Sequence, residues 1–102
     1  MPDTLIRLSE SALADLQDLV GWYESQGIPH VGRRIVAEIL ARVETLGDLP
    51  DSGRVVPEFD QPSLRELIHP PFRIVYRRAA ADVQVVRVWR SERLLKLPKR
   101  SE

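Results

Sequence analysis

Two amphipathic stripes joined by a very short link constrain this chain more than any other feature. Leu13, Leu16, Val20 and Tyr23 recur at steps of three, four and three, flanked by Ala12 and Leu19, which is the spacing of one helical face. Further on, Ile35, Ile39, Val43 and Leu46 repeat the pattern, supported by Val31 and widened by Val36 and Leu40. Ser9 suits the N-cap of the first helix, and Glu10 faces the positive end of its dipole. That helix is predicted to stop near Gln26, because Gly27 can take the left-handed conformation that closes a helix. Pro29 fits the first turn of the second helix, where a missing N–H costs nothing. Gly47 and Pro50 end it. So short a link makes the two helices an antiparallel hairpin. Each buries part of the other's stripe, and what remains apolar must cover a third element.

The C-terminal half supplies that element. Asp51-Ser52-Gly53-Arg54 reads as a turn, and the stretch through Pro57 and Pro62 as extended loop. Leu64–Ile68, Phe72–Arg78 and Val83–Arg90 read as strands. Their links, His69-Pro70-Pro71 and Ala79-Ala80-Ala81-Asp82, are of hairpin size, so the three form an antiparallel meander. Near the N-terminus, Thr4–Leu8 is short and rich in apolar residues between Pro2 and Ser9, and is predicted as an edge or near-edge strand. The expected fold is α+β in two layers: a helical hairpin packed on an antiparallel sheet, in the order β-α-α-β-β-β. A length of 102 residues fits one domain over 1–102, with a polar tail over 96–102.

Composition removes several classes of function. The chain has no Cys, which excludes a disulfide scaffold, a thiolate metal site and a Cys nucleophile, and fits a reducing cytoplasm, the expected location. The first residues lack a basic n-region, so no signal peptide is read. No apolar run approaches the ~20 residues of a membrane span, so no membrane partner is expected. Net charge is zero, but residues 1–51 carry nine acids and four bases, and residues 52–102 carry six acids and eleven bases. A half with net charge +5 points to an anionic partner or to a solvated sheet face with internal ion pairs.

Alternation along the strands sorts the bases into faces. Ile74, Tyr76, Val86 and Val88 are expected beneath the helices. Arg65, Arg73, Arg77 and Arg87 are expected together on the outer face, with Trp89 nearby as a candidate anchor. Other chemistry is weak. His30 and His69 have no carboxylate or second His at ligand spacing, so neither metal nor cofactor is expected. Ser52, Ser63 and Ser91 lack a paired base. Gly53 is a turn glycine rather than part of a phosphate loop. Asp51, Glu58 and Asp60 read as loop solvation, and Trp22-Tyr23 as helix packing.

Taken in order, these residues resemble a family. Ala14-Asp15-Leu16 with Trp22-Tyr23, then Leu49-Pro50, Gly53-Arg54 and Pro57-Glu58, then Leu64-Arg65-Glu66-Leu67, Phe72-Arg73-Ile74-Val75-Tyr76, Val86-Arg87-Val88 and Arg93-Leu94-Leu95 resemble a ParE-type toxin of the ParE/RelE toxin–antitoxin superfamily. The resemblance covers nearly the whole chain. It implies a small α+β toxin of a type II toxin–antitoxin system, of the plasmid-stabilisation kind, neutralised in a hetero-oligomer by a cognate ParD-like antitoxin. Operator DNA would be met only through that antitoxin.

Within the superfamily, ParE members are similar in poisoning DNA gyrase and blocking replication, whereas RelE members cleave mRNA on the ribosome. RelE-like nucleases carry a basic cluster with a Tyr or His near the end. Here no His or Tyr follows Tyr76, and Arg90 stands where many relatives have His. Arginine stays protonated and is a poor general base. The resemblance therefore implies a non-enzymatic gyrase inhibitor, with a RelE-type mRNA interferase as the alternative. Trp89, Arg90, Arg93, Leu94 and Leu95 are the candidates for the target surface. An acidic antitoxin segment is expected to meet Arg65, Arg73 or Arg87, and the rest of the antitoxin to use the exposed part of the helical hairpin and a sheet edge.

Overall fold

A computed structural model of the chain describes residues 4–91. Its elements are β1 (Leu5–Leu8), α1 (Glu10–Ser25), α2 (Pro29–Glu44), a 3₁₀ turn (Thr45–Gly47), β2 (Arg54–Val55), β3 (Leu64–His69), β4 (Phe72–Arg78) and β5 (Asp82–Arg90). The strands form one sheet in the order β1-β5-β4-β3-β2. The helical hairpin covers one face. No helix among the described residues is long and apolar enough to cross a membrane.

Local chemistry explains the helix ends. The Ser9 hydroxyl accepts the Ala12 N–H at 3.0 Å, as an N-cap should. The same hydroxyl donates to the Val86 carbonyl at 3.0 Å, and the Ser9 N–H donates to the Val85 carbonyl at 2.9 Å. One residue thus starts α1 and fastens it to β5. At the far end, Gly27 has φ 79°, and the N–H groups of Gly27 and Ile28 donate to the carbonyls of Glu24 and Tyr23. That is a Schellman closure, and it turns the chain into Pro29, the first residue of α2.

The core lies between the hairpin and the sheet. Ala12, Leu16 and Leu19 from α1, Ile39 and Val43 from α2, and Leu46 pack on Leu67, Phe72, Ile74, Tyr76, Val83, Val85 and Val88. Ile74, Tyr76 and Val88 lie where alternation predicts. Val86 does not. Val75 pairs with Arg87 but Tyr76 pairs with Val85, so Val86 is the extra residue of a β-bulge. A bulge inverts the alternation on one side of itself. Val83 and Val85 are therefore buried beneath the helices, and Val86 is turned to the opposite face, where it packs with Trp89 on a second, smaller core of Val56, Leu64 and Val75.

Two other features differ from the expected sheet. The meander β3-β4-β5 is antiparallel, but β1 lies parallel to β5, Leu5 opposite Asp82 and Leu8 opposite Val85, so the sheet is mixed. Residues Arg54 and Val55, read as turn and loop, add a two-residue antiparallel strand to β3. From there the chain runs over the sheet's outer face as a strap, with Val56 buried and Glu58 placed above β4.

Candidate functional site

Cross-strand partners share a face, so the register places each arginine. Arg77 opposes Leu64, Arg73 opposes Ile68 and Trp89, and Arg87 opposes Val75. By register these three arginines belong to the outer face, although Arg87 reaches past the end of β1 to helix α1. Arg65 does not join them. It opposes Tyr76, a residue of the main core, so it lies on the helix side, and a four-arginine patch does not form.

Nor is the outer face an open cationic surface. Arg73 is buried, its side chain 8% exposed, and it sits between two carboxylates. Its Nη1 and Nη2 donate to Glu58 at 3.1 and 3.0 Å, and its Nε donates to Glu66 at 2.7 Å. The other oxygen of Glu66 accepts Arg54 Nε at 2.6 Å. The Glu66 side chain is completely buried. The result is a neutral chain of four charges, Glu58–Arg73–Glu66–Arg54. Burial opposes the charge on Arg73, but its hydrogen bonds to Glu58 and Glu66 outweigh that and push its pKa up. The Arg73 fork is also the main reason that the Glu58 carboxyl is held below its ordinary range.

Arg87 is tied as firmly. Its Nε and Nη2 each donate to Asp15 of α1 at 2.8 Å, and the Val88 N–H donates to the same carboxylate at 2.8 Å. The bonds to Asp15 push the Arg87 pKa up. Its guanidinium also lies 4.6 Å from the centre of the Trp89 ring. Asp15, its side chain 11% exposed on the sheet-facing side of α1 beside Ala12, Leu16 and Leu19, thus satisfies a backbone donor of β5 where β1 has ended. Asp15→Ala is expected to lower stability by about 2 kcal/mol, since it removes bonds to a charged group and leaves the Val88 N–H without its acceptor. Urea unfolding of the full chain measures this; a change under ~0.5 kcal/mol would show that the bond is idle.

On the helix side, Arg65 Nη1 donates to the Gly53 carbonyl at 2.9 Å, and Arg78 Nε donates to Asp51 at 3.0 Å. Between them Tyr76 is fully buried. Its hydroxyl accepts the Gly53 N–H at 2.9 Å and donates to the Pro50 carbonyl at 2.8 Å. Burial pushes the pKa of this phenol up, and its two hydrogen bonds tie β4 to the turn at Pro50–Gly53.

Of the residues proposed for the target surface, Trp89 and Arg90 fall on opposite faces. Trp89 is half-buried on the outer face, whereas Arg90 opposes Phe72 and places its guanidinium 5.6 Å from the centre of that ring. Arg93, Leu94 and Leu95 lie outside the described residues. Among the nine candidates, Arg77 is the exposed base that makes no hydrogen bond or ion pair within the described residues. Among those residues, no group of three His, Cys, Asp or Glu is placed to hold a metal ion.

Sequence reasoning missed Asp15, Glu58 and Glu66. The available signal was Glu66 itself, a carboxylate in the interior of a strand, between Arg65 and Leu67. The exposed part of the helical hairpin, expected from the sequence to serve an antitoxin, carries a groove of about 430 Å³ whose lining includes Leu13, Leu16 and Val20 of α1 and Val36 and Leu40 of α2. Leu13 is 45% exposed and Leu40 37%. These side chains share the stripe that builds the core, so the sequence alone does not separate the part left uncovered.

Comparison with known proteins places this geometry. No curated protein matches the chain in sequence. Among solved structures, a chain described as the chromosomal ParDE TA system from P. aeruginosa superposes with a TM-score of 0.74 at 23% identity, covering 88% of this chain and 98% of that one. At that identity the likeness speaks for the fold. The sequence profile described as ParE toxin of type II toxin-antitoxin system, parDE, matches residues 6–95. With that match running from β1 past the end of β5, the chain belongs to the ParE toxin family of type II toxin–antitoxin systems.

Proposed function

We propose that this protein is a non-enzymatic toxin that inhibits DNA gyrase in the cytoplasm and is silenced by a ParD-like antitoxin. The observation that carries this reading is the neutral Glu58–Arg73–Glu66–Arg54 chain on the outer face. A ribonuclease needs unpaired cations for the phosphate and a group that moves a proton. Here Arg73 is held between two carboxylates, Arg87 is paired with Asp15 and Arg54 with Glu66, Arg77 is the exposed base left without such a partner among the described residues, and on the helix side the Tyr76 phenol is buried and doubly bonded. Such a surface suits binding rather than cleavage.

The antitoxin reading rests on the hairpin groove. An apolar channel between two helices accepts the apolar face of a third, with anchors at helical spacing. A ParD-like antitoxin helix laid there covers Leu13 and Leu40 and forms the hetero-oligomer. Operator DNA is then reached through the antitoxin.

Purified full-length toxin, freed of antitoxin, is expected to inhibit gyrase supercoiling and to leave mRNA intact in a primer-extension assay on translating ribosomes. Uninhibited supercoiling would overturn the gyrase assignment. Cleavage at the ribosomal A site would replace it with the RelE-type interferase.

A further inference from the structure

Gly21 sits four residues before the end of α1, where glycine is a poor choice. A glycine inside a helix is less favourable than alanine, because its backbone loses more conformational freedom. Nothing in the fold requires it. Its φ is not left-handed, and a Cβ added there meets no atom within 4 Å. Contrast Gly53, where an added Cβ meets backbone at 2.6 Å. The space in front of Gly21 is the hairpin groove, which it lines together with Val20 and Glu24. The groove's polar lining residues are Gln17 and Glu24, and no basic side chain lines it among the described residues.

We propose that Gly21 is a specificity-determining notch in this groove, and that the occupant is an amphipathic antitoxin helix seating a large apolar side chain against Gly21 and a lysine or arginine against Glu24. The proposal rests on the reading of the groove as the antitoxin site. The missing methyl weakens α1 in the free toxin and is recovered as close packing only when the partner is seated. The unpaired carboxylate at the groove's end selects the sign of the partner's flanking charge.

The test has opposed signs. Full-length toxin and its variants are titrated with the full-length product of the reading frame adjacent to the toxin's own, and each variant is melted alone. Gly21→Ala is expected to raise the melting temperature of the free toxin by about 4 °C and to weaken the complex at least about tenfold by overfilling the notch. Gly21→Leu weakens it further. Glu24→Lys is expected to weaken it at low salt and less so at high salt. Leu40→Glu, on the groove wall, reports on the site itself. If Leu40→Glu weakens binding and Gly21→Ala does not, the notch is overturned and the antitoxin site stands. If neither weakens it, the groove reading falls and the notch with it. A lower melting temperature for Gly21→Ala also overturns the notch, because it would mean that the position is packed from within. Unchanged binding by Glu24→Lys overturns the charge assignment.

Discussion

Gly53→Ala is expected to be the most damaging single methyl in the molecule, with a loss of at least about 3 kcal/mol and, in a domain of this size, a melting temperature lower by more than about 12 °C. The added Cβ would lie 2.6 Å from the Glu66 carbonyl oxygen and 2.7 Å from both Cε1 and the hydroxyl of Tyr76. None of these can yield. The Glu66 carbonyl belongs to the ladder of β3, and the Tyr76 ring is fully buried. Moving the turn away instead breaks the Gly53 N–H bond to Tyr76, strains the bond from Tyr76 to Pro50, and pulls the Gly53 carbonyl from Arg65. Tyr76→Phe in the same background removes one of the three clashes and leaves two, so it is not expected to rescue the variant. Thermal unfolding followed by circular dichroism measures both. A Gly53→Ala protein within about 1 kcal/mol of the parent would mean that the turn is loosely held.

Arg73→Ala is expected to cost about 3–5 kcal/mol, because it strands the Glu66 carboxylate in the interior with Arg54 alone. This replaces a simpler expectation, in which Arg73 was an exposed contact for an acidic partner. A side chain held by three bonds beneath a strap is not offered to a partner. Replacing both members, Arg73→Met with Glu66→Leu, should recover most of the loss, since apolar side chains of similar volume need no partners. If the double variant is no better than Arg73→Ala, the cost lies in lost packing rather than in a stranded charge.

The same cluster sets an acid limit. Glu58 has its native pKa lowered from an ordinary 4.5, chiefly by the Arg73 hydrogen bond. A depressed native pKa means that the unfolded chain takes up the proton first. The stabilisation is therefore full above pH 4.5 and is lost as the pH falls through the lower native value. Glu58→Gln should flatten this acid limb in denaturant titrations from pH 6 downward. An unchanged limb would assign it to other carboxylates.

Much of the scaffold was legible because its determinants are local. Ser9, Gly27 and Pro29 act within one turn of where they stand, and the two stripes act at helical spacing, so the hairpin and its ends follow from the residues alone. The face of Arg65 was legible in principle. The link between β3 and β4 is only Pro70-Pro71, which sets His69 opposite Phe72 and, counting back, Arg65 opposite Tyr76. The strand partners of β5 follow a similar count only as far as Val75, beyond which the bulge at Val86 breaks it. No local signal marks that bulge; it shows only in the register, where Val75 pairs with Arg87 but Tyr76 with Val85. Asp15 with Arg87, and Glu58 with Arg73, are pairs distant in sequence, and nothing in either partner's neighbourhood announces the other.

The parallel pairing of β1 with β5 has a consequence for synthesis. Leu5 meets Asp82, and Ser9 meets Val85 and Val86, so the first strand is completed by the fifth. No fragment ending before Asp82 contains the neighbour of β1, the carbonyls that Ser9 holds or the arginine that Asp15 holds. The closure of long loops is the slow part of folding, and here it spans almost the entire polypeptide. A translating ribosome therefore carries an unfinished sheet until β5 has emerged, and premature termination yields helices without the strand that fastens them.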